Sequence, residues 1–306
     1  MTFRIKYLPA FLVMLVLFSS CLNNSGKSDA EIIESESEIT YGYSYISGDF
    51  ESIQVKYQIH FINAGQGESI LILTPDKTVI IDAGDRNGIA ANYLLHQGIQ
   101  HIDIAIATHP HADHIGGFRD IFELFTIGEL IDPGVVHTTL TFERYLTLIY
   151  ELDIPFTVGR KGMIRELGEA AFLELLHPEE PSDQNLNAAS IVVKLTLGNI
   201  TALFTGDIER RSEEELLKEH LKLESNILKV PHHGSATSSH KAFLKAVKPN
   251  VAVIMCGTDN AYGFPEKEVL RRLDHLGSEI LRTDLHGHII IKSDGENFTV
   301  ETLPYL

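Results

Sequence analysis

An α/β fold of two packed sheets with helices on their outer faces is predicted for residues 51–306. Short β-branched runs bounded by turns come first, strand–helix units follow, and that order returns loosely in the second half. The run at 102–107 is continuously apolar, as in a strand covered on both faces. No internal repeat, low-complexity block or interior Pro/Gly linker interrupts this stretch, so one domain is expected.

Taken in order, residues 53–62, 69–73 and 78–81 read as a strand meander turned by 63–67 and by Pro75-Asp76. A helix is expected at 89–96 from apolar residues at 89, 90, 94 and 95. The spacing then predicts helices over 113–125, 142–152, 209–223, 239–247 and 265–276. Strands are expected at 102–107, 128–131, 156–158, 171–176, 191–197, 200–205, 227–230, 251–255, 279–281, 288–291 and 298–301.

The first fifty residues are of another kind. Arg4 and Lys6 precede an eleven-residue apolar run, 8–18, that is too short to span a bilayer and fits the core of a signal peptide. Ser19 and Ser20 then lead to Cys21. Residues 1–21 resemble a bacterial lipoprotein signal ending at a lipidated Cys21, with Phe18 where the motif usually has Leu. This places the protein outside the cytoplasm, anchored to the membrane through lipid. Residues 22–50, with six acids and one Lys, read as a flexible acidic tether. With Cys21 lipidated, Cys256 is the one remaining thiol, so no intrachain disulfide forms.

The whole chain carries 42 acids against 25 bases, a net charge of −17. Without the six acids of the tether and the bases Arg4, Lys6 and Lys27, residues 51–306 hold 36 acids and 22 bases, a net of −14. An extended nucleic-acid-binding face, which needs clustered Lys and Arg, is therefore not expected.

Five of the fifteen histidines fall in two tight clusters. His109, His111, Asp113 and His114, in the string H-P-H-A-D-H-I-G-G, follow the apolar strand 102–107 and set three imidazoles and a carboxylate in one volume. These are the ligands that Zn²⁺ and similar cations prefer. Asp207 ends the strand 200–205 in Thr-Gly-Asp, and His232-His233 closes the strand 227–230. Adjacent histidines diverge, so one of the pair is expected to join the cluster. Asp82 ends the strand 78–81 and is placed to orient a ligand histidine from behind. Four such strand ends suggest two cations about 3.5–4 Å apart that activate water for hydrolysis.

With these residues the sequence resembles the metallo-β-lactamase superfamily over residues 53–306. The strings LFTGDIE (203–209), LKVPHHGS (228–235), AVKPNVAVI (246–254), AYGFPEKEVLRRL (261–273) and LRTDLHGHI (281–289) are similar to the metallo-hydrolase domain of the ComEC/Rec2 competence proteins. The resemblance implies a four-layer αβ/βα sandwich holding one or two Zn²⁺, with Mn²⁺ as the alternative. It gives one cation His109, His111 and Asp207, and the other Asp113, His114, Asp207 and His232. It makes Asp113 and His233 catalytic, with Asp113 holding the attacking hydroxide and His233 or Ser235 beside the substrate.

Three departures are visible. The family's third-motif histidine is missing between 177 and 207, and His177, in an H-P turn, is a weak substitute. Phe264 and Glu266 stand where related sequences have histidines, which argues against a substrate-side role for that loop. Residues 51–306 contain no polytopic membrane segment, so a DNA-translocation role is not inherited. His60, His96, His101, His137, His220, His240, His275, His286 and His288 read as surface or core residues.

The function expected is a cell-surface metal-dependent phosphodiesterase or nuclease. The alternatives are hydrolysis of a small lactone, ester or amide, and a non-catalytic metal-binding lipoprotein. The oligomeric state is left open.

Overall fold

A computed structural model describes residues 54–303 apart from 182–184 and 220. The signal peptide, Cys21, the tether 22–50 and His220 lie outside the described residues. The meander is β1 (Tyr57–Phe61), β2 (Ile70–Leu73) and β3 (Thr78–Ile81). Helix α1 (Ile89–His96) leads to β4 (His101–Ile106), then α2 (Ala112–Ile115), α3 (Phe118–Leu124), β5 (Thr126–Asp132), α4 (Leu140–Glu151) and β6 (Phe156–Val158). Antiparallel strands β7 (Ile164–Gly168), β8 (Ala171–His177), β9 (Val192–Leu197) and β10 (Ile200–Phe204) open the second half. It continues with α5 (Arg210–Lys218), β11 (Ile227–Lys229), α6 (Lys241–Val247), β12 (Val251–Ile254), α7 (Lys267–Asp274) and β13 (Glu279–Arg282). A single turn, α8 (Thr283–His286), precedes β14 (His288–Ser293) and β15 (Phe298–Leu303).

The strands make two sheets, in the orders β15-β14-β1-β2-β3-β4-β5-β6 and β13-β12-β11-β10-β9-β8-β7. Side chains alternate along each strand, and that alternation builds the layers. Val79 and Ile81 of β3, Ala202 and Phe204 of β10, and Val251 and Val253 of β12 meet in the core between the sheets. Ile80 faces a second core under α1, α3 and α4, whereas Leu203, Ala252 and Ile254 face a third under α5, α6 and α7. This is the αβ/βα sandwich. The parallel strands β3-β4-β5 and β10-β11-β12-β13 end on loops at their carboxyl ends, where open α/β sheets bind ligands. Among the described residues no helix is long and apolar enough to cross a membrane.

Boundaries moved for local reasons. The helix expected at 113–125 is broken at Gly116-Gly117, because Gly117 lies directly against the Ala83 carbonyl and a Cβ there would collide with it. α4 starts two residues early, since the Thr139 hydroxyl accepts from Phe142 N and caps it. The helix expected over 209–223 ends at Lys218; beyond it Leu223 turns into the core and Ser225 N donates to Val247 O. β7 was not foreseen because it buries Leu167 alone and carries no apolar alternation.

Asp132, at the end of β5, is buried with its carboxylate accepting from Gly134 N at 2.6 Å and Tyr145 Oη at 2.9 Å. Burial outweighs these donors and pushes its pKa up to about 6. A carboxyl raised above its unfolded value stabilises the fold at low pH, and that contribution is lost as pH rises from about 4 through 6. Asp132→Asn is expected to match the wild type in thermal stability at pH 4.5 and to exceed it by up to about 3 kcal/mol at pH 8. Melting curves at the two pH values check this, and an equal difference at both would refute it.

Candidate metal centre

The carboxylates and imidazoles of the cluster stand on loops that leave the carboxyl ends of strands or connect them, except Asp113 and His114, which lie in the one-turn helix α2 that follows β4. Asp82 follows β3 with φ 54°, a conformation non-glycine residues rarely adopt. Its Oδ1 accepts from Thr108 N at 2.7 Å, and its Oδ2 accepts from Thr108 Oγ1 at 2.6 Å and from His114 Nδ1 at 2.6 Å. That pairing leaves the His114 Nε2 lone pair to the cluster. Thr108 has given its one hydroxyl proton to Asp82, so its oxygen accepts from His109 Nδ1 at 3.1 Å and turns the His109 Nε2 lone pair inward. His233 Nδ1 donates to the Met255 carbonyl at 2.7 Å with the same result. Three ring tautomers are thus fixed by the protein itself.

The free nitrogens converge on Asp207. Its Oδ2 lies 3.4 Å from His114 Nε2, 3.6 Å from His233 Nε2 and 3.8 Å from His109 Nε2. His109 Nε2 and His111 Nδ1 are 2.9 Å apart, and His114 Nε2 and His233 Nε2 are 3.3 Å apart. Asp113 Oδ2 stands 3.4 Å from His233 Nε2 and 3.9 Å from His114 Nε2. Three groups among the described residues could hold a cation: one of His109, His111 and Asp207, a second of Asp113, His114 and His233, and a third, at the base of the cluster, of Glu68, His114 and Asp207.

The second group differs from the expectation, because His233 and not His232 enters it. The turn Pro231–Gly234 gives both histidines positive φ, 50° at His232 and 52° at His233. It drives His233 inward onto Met255 and His232 outward onto Thr237 and Glu209. His232 Nε2 stays 3.9 Å from Asp207 Oδ2 at the rim. His233→Ala is therefore expected to lower the bound-metal content of the purified protein, and His232→Ala to leave it unchanged. Elemental analysis of both variants decides, and the reverse pattern would restore the original assignment.

His177 does not join. Its Nδ1 donates to Ser190 O at 2.9 Å and its Nε2 lies 3.7 Å from Glu215. Ser190 itself touches the site, since its Oγ accepts from Asp207 N at 3.1 Å.

Two residues at the base of the cluster were missed. Glu68, in the β1–β2 loop, is fully buried and ion-pairs with the fully buried ammonium of Lys229 from β11. Lys229 Nζ also donates to Gly206 O at 3.0 Å and lies 3.8 Å from Asp207 Oδ1. The loop reaches the site because Gly67 has no side chain; a Cβ there would run into the Asp113 carbonyl, the group that accepts from Glu68 N. The sequence signals were a glutamate between Gly67 and a buried strand, and a lysine inside an apolar run. His137 was also read as unpartnered, yet its ring lies 5.8 Å from that of His111.

The electrostatics fit a cationic occupant. Four carboxylates (Glu68, Asp82, Asp113, Asp207) meet one ammonium, and Glu68 Oε1 and Asp207 Oδ1 have no hydrogen-bond donor. Burial opposes charge on Asp113 and Asp207, but the neighbouring His114 and His233 outweigh it and hold both carboxyls well below the usual range. Burial drives His109 well below its usual value, whereas on His114 the opposing charges of Asp207, Asp82 and Asp113 outweigh burial and raise it. A divalent cation would take the place of the proton that these carboxylates hold on His114, and would meet a neutral His109 and ionised carboxylates. The cleft over the cluster holds about 310 Å³, lined by Gln66, His111, Asp113, His233, Tyr262 and Phe264 among others.

A family model for the metallo-beta-lactamase superfamily matches residues 62–258, from the end of β1 past β12. The chain belongs to the metallo-β-lactamase superfamily. Within it, the chain is 27% identical over 252 residues to ComE operon protein 3 of Bacillus subtilis, which covers 76% of this chain and 32% of that protein. It is 31% identical over 232 residues to competence protein ComA of Neisseria gonorrhoeae, covering 74% and 30%. Recombination protein 2 of Haemophilus influenzae is 30% identical over 240 residues, covering 76% and 28%. The domain is thus ComEC-like, and the chain spans about a third of the length of these curated relatives. Among solved structures, the metallo-beta-lactamase fold protein YhfI of Bacillus subtilis superposes with a TM-score of 0.51 at 12% identity, over 74% of this chain and 96% of that one. The diiron β-hydroxylase CmlA of Streptomyces venezuelae gives 0.53 at 14%, over 79% and 55%. These two likenesses concern the superfamily's fold.

Proposed function

We propose that this superfamily member is a metal-dependent phosphodiesterase acting on nucleic acid, anchored outside the cytoplasm through Cys21. The observation that carries the reading is the sharing of one carboxylate. Asp207 Oδ2 belongs with His109 and His111 and also approaches His114 and His233, as a residue bridging two adjacent cations would. A pair of divalent cations suits in-line displacement at phosphorus. Two relatives are named for competence and recombination, and nucleic acid is the phosphodiester that connects such names to this chemistry.

In this reading His109, His111 and Asp207 hold one cation and Asp113, His114 and His233 the other, with Zn²⁺ as the resident metal and Mn²⁺ able to replace it. Bound there, the cations supply Lewis acidity to the phosphoryl oxygens and lower the pKa of a water toward neutrality. The chain's own residues do the rest. Asp82, Thr108 and Met255 O keep the imidazole lone pairs aimed inward. Lys229 engages Asp207 Oδ1, which leaves Oδ2 to the cluster. Asp113, with about a third of its side chain exposed, presents an ionised Oδ2 on the open side, where it would join the second cation and hold the attacking water in position. The net charge of −14 confines substrate capture to this cleft.

The test is turnover of a bis-aryl phosphodiester and of DNA by the purified protein with Mn²⁺ or Zn²⁺. Chelator-sensitive cleavage is expected. Hydrolysis of lactones or β-lactams without phosphodiester cleavage would replace this reading. Inactivity on all substrates with metal bound would leave a metal-binding lipoprotein. For the anchor, labelled fatty acid should attach to the wild type and not to Cys21→Ala.

A further inference from the structure

The loop 257–264 was expected to stay out of the substrate's way, because it lacks the histidines of related sequences. It nevertheless forms one wall of the cleft, through Tyr262 and Phe264. The two rings are stacked, with centroids 5.5 Å apart and planes 13° from parallel. Phe264 in turn meets the His232 ring edge-on at 5.8 Å. A line of rings therefore leaves the cluster, His232 to Phe264 to Tyr262, and its last member is 68% exposed.

An exposed tyrosine on a loop normally loses its orientation to side-chain entropy, but this loop is pinned. Asn260 Nδ2 donates to Gly257 O at 3.0 Å and to Phe264 O at 2.7 Å, and its Oδ1 accepts from Phe264 N at 3.0 Å. Gln66 Oε1 accepts from Gly257 N at 3.1 Å, which ties the loop to the opposite wall. No ion pair or hydrogen bond of the cluster involves either ring. Phe264 is half-buried and Tyr262 exposed, and neither ring belongs to the buried cores.

We propose that Tyr262, backed by Phe264, is a stacking platform for the nucleobase next to the bond being cleaved. This rests on the phosphodiesterase reading above and makes it narrower. A ring joined by one sugar to a phosphodiester is the substrate feature that a flat, pre-positioned aromatic face beside a cation pair would recognise. Every base offers such a face, so recognition is indifferent to sequence. The arrangement also gives an acidic protein hold on a strand without a basic surface.

The probe is a trinucleotide carrying 2-aminopurine, whose fluorescence falls on stacking. The protein contains no tryptophan, so the signal is uncluttered. Binding is measured with the full, metal-loaded protein, with Tyr262→Ala and Tyr262→Phe, and against a trinucleotide with an abasic central position. The wild type and Tyr262→Phe should quench the probe and bind it about 10- to 100-fold more tightly than the abasic strand. Tyr262→Ala should lose both the quenching and that preference, and turnover of a simple phosphodiester without a base, methyl p-nitrophenyl phosphate, by the wild type reports separately on the phosphodiesterase reading. Equal quenching by Tyr262→Ala would overturn the platform, as would equal affinity for the abasic strand. Failure to bind any trinucleotide while the simple phosphodiester is cleaved would also overturn it and leave the phosphodiesterase standing. Loss of turnover on every phosphodiester would refute that function instead, and quenching would then still report on the platform.

Discussion

Asp113→Ala is expected to lower phosphodiester turnover by roughly 10²-fold or more, because it removes both a cation ligand and the group that positions the attacking water, while leaving the fold intact. The two halves of this expectation have separate grounds. The Asp113 side chain is about a third exposed, and the fold uses its backbone carbonyl, not its carboxylate, to hold Glu68 N. Truncation therefore opens no cavity and strands no buried donor. The carboxylate does have to stay ionised beside His114 and His233, and no other exposed carboxylate of the four takes that position. Asp82→Asn, which acts only through Thr108 and His114, should cost less, roughly 10–100-fold. Initial rates on a bis-aryl phosphodiester, with circular-dichroism melts as the fold control, decide. An Asp113→Ala enzyme within threefold of the wild type would contradict the assignment.

Lys229→Met should produce the largest loss of stability, about 3–5 kcal/mol. Glu68 is fully buried, and neither of its carboxylate oxygens has a hydrogen-bond donor with good geometry. Burial raises its pKa, and the Lys229 charge is the main influence in the other direction. On Lys229 burial favours the neutral amine, but the charges of Glu68 and Asp207 outweigh it and raise its pKa. Removing the lysine leaves a carboxylate with no partner in the interior. The double substitution Glu68→Gln with Lys229→Met removes both charges and should recover most of the loss, since a buried pair is held together more than it stabilises. Thermal or denaturant unfolding of the two single variants and the double completes the cycle. Additive losses would mean that the pair is not coupled.

How much of this was legible in the sequence depends on how local each signal is. His109, His111, Asp113 and His114 lie within six residues, so their convergence needed no knowledge of the fold. Asp82 and Asp207 were readable because each closes an apolar run, which puts it at the carboxyl end of a strand. The choice between His232 and His233 was not readable, because it is made by two consecutive positive φ angles in Pro231–Gly234. Glu68 and Lys229 are 161 positions apart in number (229 − 68) and meet only when the two sheets pack. Alternation in β11 did hold half of that contact. Ile227 faces the core between the sheets, so Lys229, two residues on, must point the same way. The place of the loop 257–264 at the cleft was not readable for another reason. Its imidazoles were sought, whereas its contribution to the cleft is the pair of rings at Tyr262 and Phe264.

The two-cation assignment is tested most directly by titrating metal-depleted protein with Mn²⁺ and following the initial rate of phosphodiester cleavage. The shared Asp207 predicts a rate that rises and breaks at two equivalents per chain. A plateau at one equivalent, or no cleavage at any ratio, would contradict it.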